Sequence, residues 1–326
     1  MPITLTFDDS QYPARLAEQL RQGLRQRRLP IKFLYDSPAQ AQRWLAYHQA
    51  YSPSRTETAL LTLYQQAFQA ALDFLQPAAL HYISLGCGGG QKDTLFLQQA
   101  ASQCQTLHFT PIDVSAALVL ETMAHIQDAF PGLSSSPYVL DLNVQPELTA
   151  LFTPHETAAS RRLLSCFGML PNFAYRAFLP YVQSLMRPGD VLLISANLSP
   201  GSYSESWAHI LPQYDNSLAH AWFAGLLDSL GFSTAHRRIT VQAEPLRADG
   251  HIWHIQAYAT FAQPVGVVLQ GETFHFTPDE RLHLFFSHRF TPQVMPSVLA
   301  DAGLCVLKTF LFASQEEGIY VCTRSA

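Results

Sequence analysis

The chain is poor in charge. Only 14% of its 326 residues are Asp, Glu, Lys or Arg, against 48% hydrophobic residues, and its formal net charge is −5. It contains no block of five or six like charges, and its densest basic stretch, RQGLRQRR at 21–28, is typical of one solvated helix face. A nucleic-acid partner is therefore disfavoured, while the apolar content allows a large buried core.

Long hydrophobic runs and secretion signals are missing as well. No apolar run approaches the roughly eighteen residues that a membrane-spanning helix needs. The opening stretch, MPITLTFDDSQYP, lacks the basic-then-apolar layout of a signal peptide. We therefore expect a soluble cytoplasmic protein that does not associate with membranes. For the oligomeric state, a monomer is favoured.

Cysteine and metal-site patterns are sparse. The cysteines are odd in number and have no CxxC spacing, which argues against a disulfide framework and against structural zinc; they are Cys87, Cys104, Cys166, Cys305 and Cys322. The histidines of the C-terminal half include no HExxH pair, and His251 and His254 would point to opposite faces of a strand. No metal is expected.

Strand-like and helix-like segments alternate in the middle of the chain. The strand-like runs are 81–85, 107–112, 137–142, 161–167 and 191–196, and the helical segments between them are 92–101, 116–130 and 173–186. This alternation predicts an α/β fold, a Rossmann-like parallel sheet with helices on both faces. Ligands of such sheets bind at the carboxyl ends of the strands, where the strand order reverses.

The pattern changes after residue 200. Residues 201–230 have helical spacing, 233–286 are rich in short β-type runs, and the chain ends with a helix at 292–302 followed by two strands. We therefore predict a sheet domain formed by 57–200 and 287–326. A second α+β domain, discontinuous in sequence, would be formed by 1–56 and 201–286 and would bind the substrate.

The stretch LGCGGGQKD at 85–93 places four glycines between a strand and a helix. A phosphate-binding loop is disfavoured there, because the pattern GxxxxGK[ST] needs glycine at position 91 and Ser or Thr at position 93, and this chain has Gln91 and Asp93. Gly86 and Gly88 fit the dinucleotide pattern GxGxxG, but its third glycine is again replaced by Gln91, so a nicotinamide cofactor is only weakly indicated. S-adenosylmethionine, which needs the same tight turn, is the remaining candidate.

Three charged residues favour this nucleoside. Lys92, in the first turn of the helix, is a candidate partner for the cofactor carboxylate, or else an exposed helix lysine. Asp113 ends the second strand, about twenty residues beyond the loop, where an acid can accept the ribose hydroxyls. Asp141 ends the third strand, where it can accept the adenine amino group. Either aspartate alone could be only a cap or turn former.

Several motifs resemble the histidine Nα-methyltransferases of ergothioneine biosynthesis. They are KFLYDSPAQ (32–40), YSPSRTE (51–57), LGCGGGQKD (85–93), PIDVS (111–115), FGMLPN (167–172), QYDNS (213–217) and FSHRF (286–290). The resemblance spans nearly the whole chain. It implies a class I methyltransferase sheet, a split second domain, and methyl transfer from S-adenosylmethionine to an amino acid's α-amine.

The resemblance also implies roles for individual residues. The cofactor would be held by Tyr51, Gly86, Gly88, Lys92, Asp113, Asp141 and Leu142. The substrate would be bound by Tyr35, Asn172, Tyr214 and Ser287, with Asn172 and Tyr214 holding its carboxylate. Our own hypothesis is that Asn172 and Tyr214 also orient the substrate's amine and so form the catalytic pair. Structural alternatives exist, since Tyr35, Tyr51 and Tyr214 could simply pack and Asn172 could cap the next helix.

One departure from the family pattern concerns the substrate pocket. The resemblance implies a glutamate that accepts the imidazole N–H of histidine two residues before Ser287, but this chain has Phe285. A site built to bind a polar group discriminates strongly, and loss of the acceptor removes that discrimination. We therefore expect an N-methyltransferase for another amino acid or similar amine. The alternatives are a genuine L-histidine methyltransferase and a cofactor-binding protein without transfer activity.

Overall fold

A computed structural model describes residues 2–52, 57–157, 159–200, 203–246, 249–278 and 280–325, so positions 53–56 of the YSPSRTE motif lie outside it. The α-helices are α1 (Pro13–Arg25), α2 (Pro38–Tyr51), α3 (Thr58–Leu75), α4 (Gln91–Ala101), α5 (Ala116–Ala129), α6 (Thr149–Phe152), α7 (Tyr175–Ser184), α8 (Tyr203–Tyr214), α9 (Ser217–Ser229) and α10 (Met295–Asp301). The strands are β1 (Thr6–Phe7), β2 (Ala79–Leu85), β3 (Thr106–Asp113), β4 (Ser134–Ser135), β5 (Tyr138–Val139), β6 (Ser160–Cys166), β7 (Val191–Asn197), β8 (Arg237–Pro245), β9 (Ile252–Phe261), β10 (Val265–Leu269), β11 (Glu272–Phe276), β12 (Leu282–Phe290), β13 (Leu304–Leu311) and β14 (Glu317–Arg324).

The largest element is a mixed sheet with the strand order β1-β5-β3-β2-β6-β7-β14-β13, and β4 pairs beside β3. The strands from β1 to β7 run parallel, whereas β14 is antiparallel to both β7 and β13. The chain moves outward from β2 to β3 and then returns to the other side of β2 to form β6. This reversal opens a crevice at the carboxyl ends of β2 and β6. The predicted α/β sheet is confirmed.

Helices cover both faces of the sheet. Successive residues of a strand point to opposite sides, and in β2 Tyr82 packs with α3 and α4, while Ile83 packs with α7 and α10. Leu163 and Leu164 of β6 divide in the same way. Both faces are buried, and the apolar pairs Tyr82–Ile83 and Leu163–Leu164 at the strand centres gave the pattern that located these strands, although each strand also carries polar residues.

The third predicted strand is shorter than expected. The run 137–142 forms only the two-residue strand β5. After β5, the Leu140 N–H still donates to the Asp113 carbonyl at 3.0 Å, but Asp141 begins a 3-10 turn in which its side chain accepts the Asn143 N–H. This local bond competes with extension of the strand, as aspartate side chains commonly do.

A second, antiparallel sheet has the order β12-β9-β8, and β10 and β11 form a hairpin. One core of buried apolar residues joins these strands to α1, α8 and α9. The Trp222 indole N–H of α9 donates to the Leu34 carbonyl at 2.6 Å, and the Gln40 amide donates to the Trp222 carbonyl at 3.1 Å. The N-terminal segment therefore packs with chain that follows residue 200.

The division into two domains stays a prediction. Strand β12 crosses the predicted boundary between 286 and 287, and β1, from the predicted second domain, pairs with β5 in the large sheet. None of the helices in the described ranges has both the length and the hydrophobicity of a membrane-spanning segment.

Candidate functional site

A cavity of about 260 Å³ lies at the carboxyl ends of β2, β3 and β6, and the N-terminal segment, α8, α9 and β12 complete its walls. Every site residue predicted from the sequence lines it: Tyr35, Tyr51, Gly86, Gly88, Lys92, Asp113, Asp141, Leu142, Asn172, Tyr214, Phe285 and Ser287. The fold therefore brings together residues from seven separated motifs. Their individual roles stay predictions.

The glycine loop passes close to other parts of the chain. Gly86 and Gly90 both have a φ of +71°, a conformation that favours glycine. A Cβ at Gly86 would overlap the Met169 side chain, and one at Gly90 would lie 2.9 Å from the Cα of Thr122. The Gly86 and Cys87 N–H groups donate to the Ile112 carbonyl at 2.8 and 3.0 Å. The loop is thus pinned to the end of β3.

Asp113 places a buried carboxylate at this point. Its Oδ2 accepts the Gly88 N–H at 3.0 Å and its Oδ1 accepts the Ser115 N–H at 2.9 Å. Burial raises the pKa of the Asp113 carboxyl to about 6, although these backbone donors oppose the shift. A carboxylate has about four lone-pair sites. Two therefore remain for a pair of ligand hydroxyls, which fits the ribose of the expected cofactor.

Asp141 is in the predicted place but already has a cationic partner. Its Oδ2 lies 3.1 Å from the Lys32 Nζ, and the two side chains are only 5% and 2% exposed. Its Oδ1 accepts the Asn143 N–H at 2.9 Å. Sequence reasoning missed the role of Lys32, although the residue belongs to the KFLYDSPAQ motif. The carboxylate retains further acceptor sites for an amino group.

Lys92 is not an exposed helix lysine, since its side chain is 15% exposed. Its Nζ donates to the Tyr64 hydroxyl at 2.8 Å and lies 3.7 Å from the Glu317 Oε1. The Tyr64 hydroxyl also donates to Glu317. A cofactor carboxylate at Lys92 would therefore share this cation with Glu317, which the sequence analysis did not single out.

Aromatic rings form the wall that the N-terminal segment contributes. Tyr35 packs edge-on against Trp44 and Trp222, with ring centroids 5.8 and 5.3 Å apart. Tyr47 stacks on Trp222 at 5.6 Å and lies 5.9 Å from Tyr51. Trp44 and Tyr47, which also line the cavity, were not predicted from the sequence. Their spacing with Tyr51, i, i+3 and i+7, places all three on one face of α2 and was the available signal.

Strand β12 forms the opposite wall with alternate residues. Phe285, Ser287 and Arg289 line the cavity, as the two-residue period of a strand requires. The Tyr214 hydroxyl lies 3.1 Å from the Ser287 Oγ and accepts from the Arg289 Nε at 3.3 Å. Tyr214 is therefore hydrogen-bonded at the cavity and does not serve only in packing. Arg289 belongs to the FSHRF motif, but no role for it was predicted from the sequence.

Asn172 joins this wall from the loop before α7. Its Nδ2 donates to the Phe286 carbonyl at 2.7 Å. It does not cap the following helix, since α7 begins at Tyr175 after Ala174 and has no side-chain cap. The capping alternative is therefore wrong. With this amide orientation the Asn172 Oδ1 is available as an acceptor.

Residues 16–324 match the family described as histidine-specific methyltransferase, SAM-dependent. The chain belongs to this family. It is accordingly an S-adenosylmethionine-dependent methyltransferase, and the recognised family and cofactor are confirmed. S-adenosylmethionine supplies an electrophilic methyl group, and the glycine loop, Asp113 and Lys92 form a site of suitable chemistry for it.

Individual relatives are distant. A histidine N-alpha-methyltransferase of Mycobacterium tuberculosis (strain CDC 1551 / Oshkosh) is 24% identical over 295 residues, which cover 85% of this chain and 84% of the relative. The structure of a S-adenosylmethionine-dependent methyltransferase from Clostridium acetobutylicum ATCC 824 has a TM-score of 0.46 at 11% identity and covers 87% of this chain and 99% of its own. The structure of magnesium protoporphyrin IX methyltransferase from Synechocystis PCC 6803 with bound SAH has a TM-score of 0.46 at 11% identity. The match covers 90% of this chain and 98% of that protein's chain.

The Asp113→Asn protein is expected to bind S-adenosylhomocysteine about 10- to 100-fold more weakly, because charge-assisted hydrogen bonds are lost. Wild-type affinity should fall as the pH drops through about 6, where the Asp113 carboxyl takes up a proton. The variant should show a flatter pH profile. Titration calorimetry between pH 5 and 8 measures the affinity and its pH dependence for both proteins. Asp128→Asn, at an exposed position, is the control. Equal affinities of Asp113→Asn and wild type would contradict the assignment.

Lys32→Met is expected to lower the free energy of unfolding by about 3–5 kcal/mol, because the Asp141 carboxylate would be left buried and unpaired. Urea unfolding measures the change. The double variant Lys32→Met/Asp141→Asn should recover part of the loss. Strictly additive effects of the two substitutions would show that the pair does not interact.

Proposed function

We propose that this methyltransferase acts on the α-amine of an amino acid with a flat, apolar side chain, and not on histidine. The observation that carries the proposal is Phe285, which stands at the cavity wall where the family resemblance implies an acceptor for the imidazole N–H. Phe285 is 4% exposed. Its ring lies 5.6 Å from Trp222, 5.3 Å from Phe223 and 6.0 Å from Tyr214, measured between centroids.

The wall around Phe285 offers few hydrogen-bond acceptors to replace the water that an imidazole N–H loses on binding. A buried N–H without an acceptor costs about 1–3 kcal/mol. The carboxylates that line the cavity have other partners. Asp113 accepts from the glycine loop, Asp141 pairs with Lys32, and Asp93 accepts from the Tyr82 hydroxyl at 2.5 Å. Glu317 accepts from Tyr64, and Glu316 accepts from Gln213 at 2.8 Å. An aromatic or aliphatic side chain, in contrast, gains stacking and apolar contact beside Phe285.

The transfer reaction depends more on orienting the amine toward the methyl carbon than on a strong base. The methyl group moves by in-line displacement, and a neutral thioether leaves. An α-amine has a pKa near 7.7–8.0, so roughly a tenth is already neutral at pH 7, and burial increases that fraction. Orientation alone can contribute about 7–11 kcal/mol. We propose that the Asn172 Oδ1 and the Tyr214 hydroxyl provide this orientation.

The predicted division of labour fits these contacts. We propose that residues 57–200 and 287–326 form the cofactor-binding domain and that 1–56 and 201–286 form the substrate domain. Tyr35 and Tyr214 come from the second unit, whereas Gly86, Lys92 and Asp113 come from the first. The β12 strand, which carries Phe285 and Ser287, joins the two units.

Histidine is the second candidate substrate. The family is described as histidine-specific, and Ser287, Asn172 and Tyr214 all line the cavity. Methylation of histidine would then depend on Ser287 alone to recognise the imidazole. A third outcome, binding of S-adenosylhomocysteine without transfer to any amine, would indicate a protein that has lost catalysis.

Mass spectrometry with isotopically labelled cofactor and a panel of tryptophan, tyrosine, phenylalanine and histidine distinguishes these functions. We expect methylation of at least one of the first three and none of histidine. Phe285→Glu should gain transfer to histidine, because it restores a carboxylate acceptor. Phe286→Glu is the matched control, because Phe286 is the next residue along the strand and its side chain does not line the cavity. Robust methylation of histidine by the wild type would overturn the proposal.

Asn172→Ala and Tyr214→Phe are each expected to lower kcat on the accepted amino acid by about 100-fold, because a misaimed amine reacts slowly. Binding of S-adenosylhomocysteine should be unchanged in calorimetry. Tyr181→Phe serves as control, since its hydroxyl donates to the Pro146 carbonyl and does not line the cavity. Unchanged turnover at unchanged affinity would remove both residues from the mechanism.

A further inference from the structure

Arg289 is a buried cation that has no carboxylate partner among the described residues. It is 4% exposed. The other cations of the described chain that are buried to this degree, Lys32 and Arg162, pair with Asp141 and Glu156. A buried charge without a counter-charge is costly, and proteins normally pair it. Arg289 departs from that rule at the wall of the cavity.

The hydrogen bonds of Arg289 leave part of its guanidinium unused. Nε donates to the Tyr214 hydroxyl at 3.3 Å, Nη1 to the Leu198 carbonyl at 3.1 Å and Nη2 to the Gln213 Oε1 at 2.7 Å. All three acceptors are neutral. Because a guanidinium has five N–H donors, one N–H remains on each terminal nitrogen. Among the described residues, Arg289 is connected to a carboxylate only indirectly: the Gln213 side chain accepts from Arg289 and donates to Glu316.

These contacts also fix the direction of the guanidinium. It is tied to α8 through Gln213 and Tyr214 and to the end of β7 through Leu198, so little side-chain freedom is left to lose when an anion binds. A planar fork held in this way suits a carboxylate.

The position of Arg289 on β12 relates it to the substrate wall. Phe285, Ser287 and Arg289 share one strand face, so polarity changes along it from apolar to neutral polar to cationic. At about 3.3 Å per residue, the Cα atoms of Phe285 and Arg289 lie roughly 13 Å apart. An amino acid has the same polarity along its length, with an apolar side chain at one end and a carboxylate at the other.

We propose that Arg289 binds the substrate's carboxylate together with the Tyr214 hydroxyl. The assignment rests on the proposed function, since it requires an amino-acid acceptor, and it names the group that separates amino acids from simple amines. Arg289 thereby determines specificity and takes no part in bond making. The anion neutralises the guanidinium, and Phe285 accommodates the other end of the same molecule.

The test compares an amino acid with its decarboxylated amine, for example tryptophan with tryptamine. In Arg289→Gln we expect a KM for the amino acid that is about 10- to 100-fold higher, from the loss of charge-assisted hydrogen bonds. The KM for the amine should stay within about twofold of wild type. Arg289→Lys keeps the positive charge but loses the two-pronged guanidinium. Its KM for the amino acid should lie between those of the wild type and Arg289→Gln. Arg281→Gln, an exposed arginine outside the cavity, is the control.

Calorimetry of the complex with S-adenosylhomocysteine separates the possible failures. An unchanged KM for the amino acid in Arg289→Gln, an equal rise for both acceptors, or weaker binding of S-adenosylhomocysteine itself would overturn the role of Arg289 and leave the proposed function standing. If the wild type binds amino acids without methylating them and Arg289→Gln loses that binding, the proposed function fails and the role of Arg289 holds. If the wild type neither binds nor methylates any amino acid, both are wrong.

Discussion

The hydrogen bond from the Gly88 N–H to the Asp113 carboxylate organises the glycine-loop end of the cavity. It ties the glycine loop after β2 to the end of β3, and the Ile112 carbonyl adds two more bonds from the same strand. A side chain at Gly86 or Gly90 would collide with Met169 or Thr122, so the loop can take this path only as nearly bare backbone. The remaining acceptor sites of Asp113 then face the cavity at a fixed position beside the loop.

Charge is distributed unevenly along the cavity. At the glycine-loop end, cations and carboxylates are already matched, as in Lys32 with Asp141 and Lys92 with Glu317. At the β12 wall, aromatic rings surround Phe285, and the hydrogen-bond acceptors of Arg289 on the same strand are all neutral. Buried charges attract their complements most strongly where water is excluded, so under the proposed function the two ends would bind different ligands.

Under the proposed function, the separation of these ends would make the choice of substrate independent of the transfer chemistry. The carbon that reacts is presented by the cofactor, and the enzyme's main task is to orient an amine toward it. In the proposed complex, the side chain of the acceptor would contact alternate residues of β12, whereas the cofactor would contact the glycine loop. A substitution at position 285 can therefore alter what the wall accepts without disturbing Asp113 or Lys92.

Local rules within the sequence determined the glycine loop, the acids at the strand ends and the order of strands and helices. Glycine permits the positive φ, buried parallel strands are rich in apolar residues, and the ends of neighbouring parallel strands meet at one edge. The shortness of β5 was not predicted, because the turn formed by Asp141 competes with extension of the strand. Only the tertiary structure decided that Lys32 meets Asp141, that Glu317 meets Lys92, and that Trp222 and Arg289 line the same cavity. Such pairs join segments far apart in the chain, and their contact depends on how the segments fold together and not on the residues beside them.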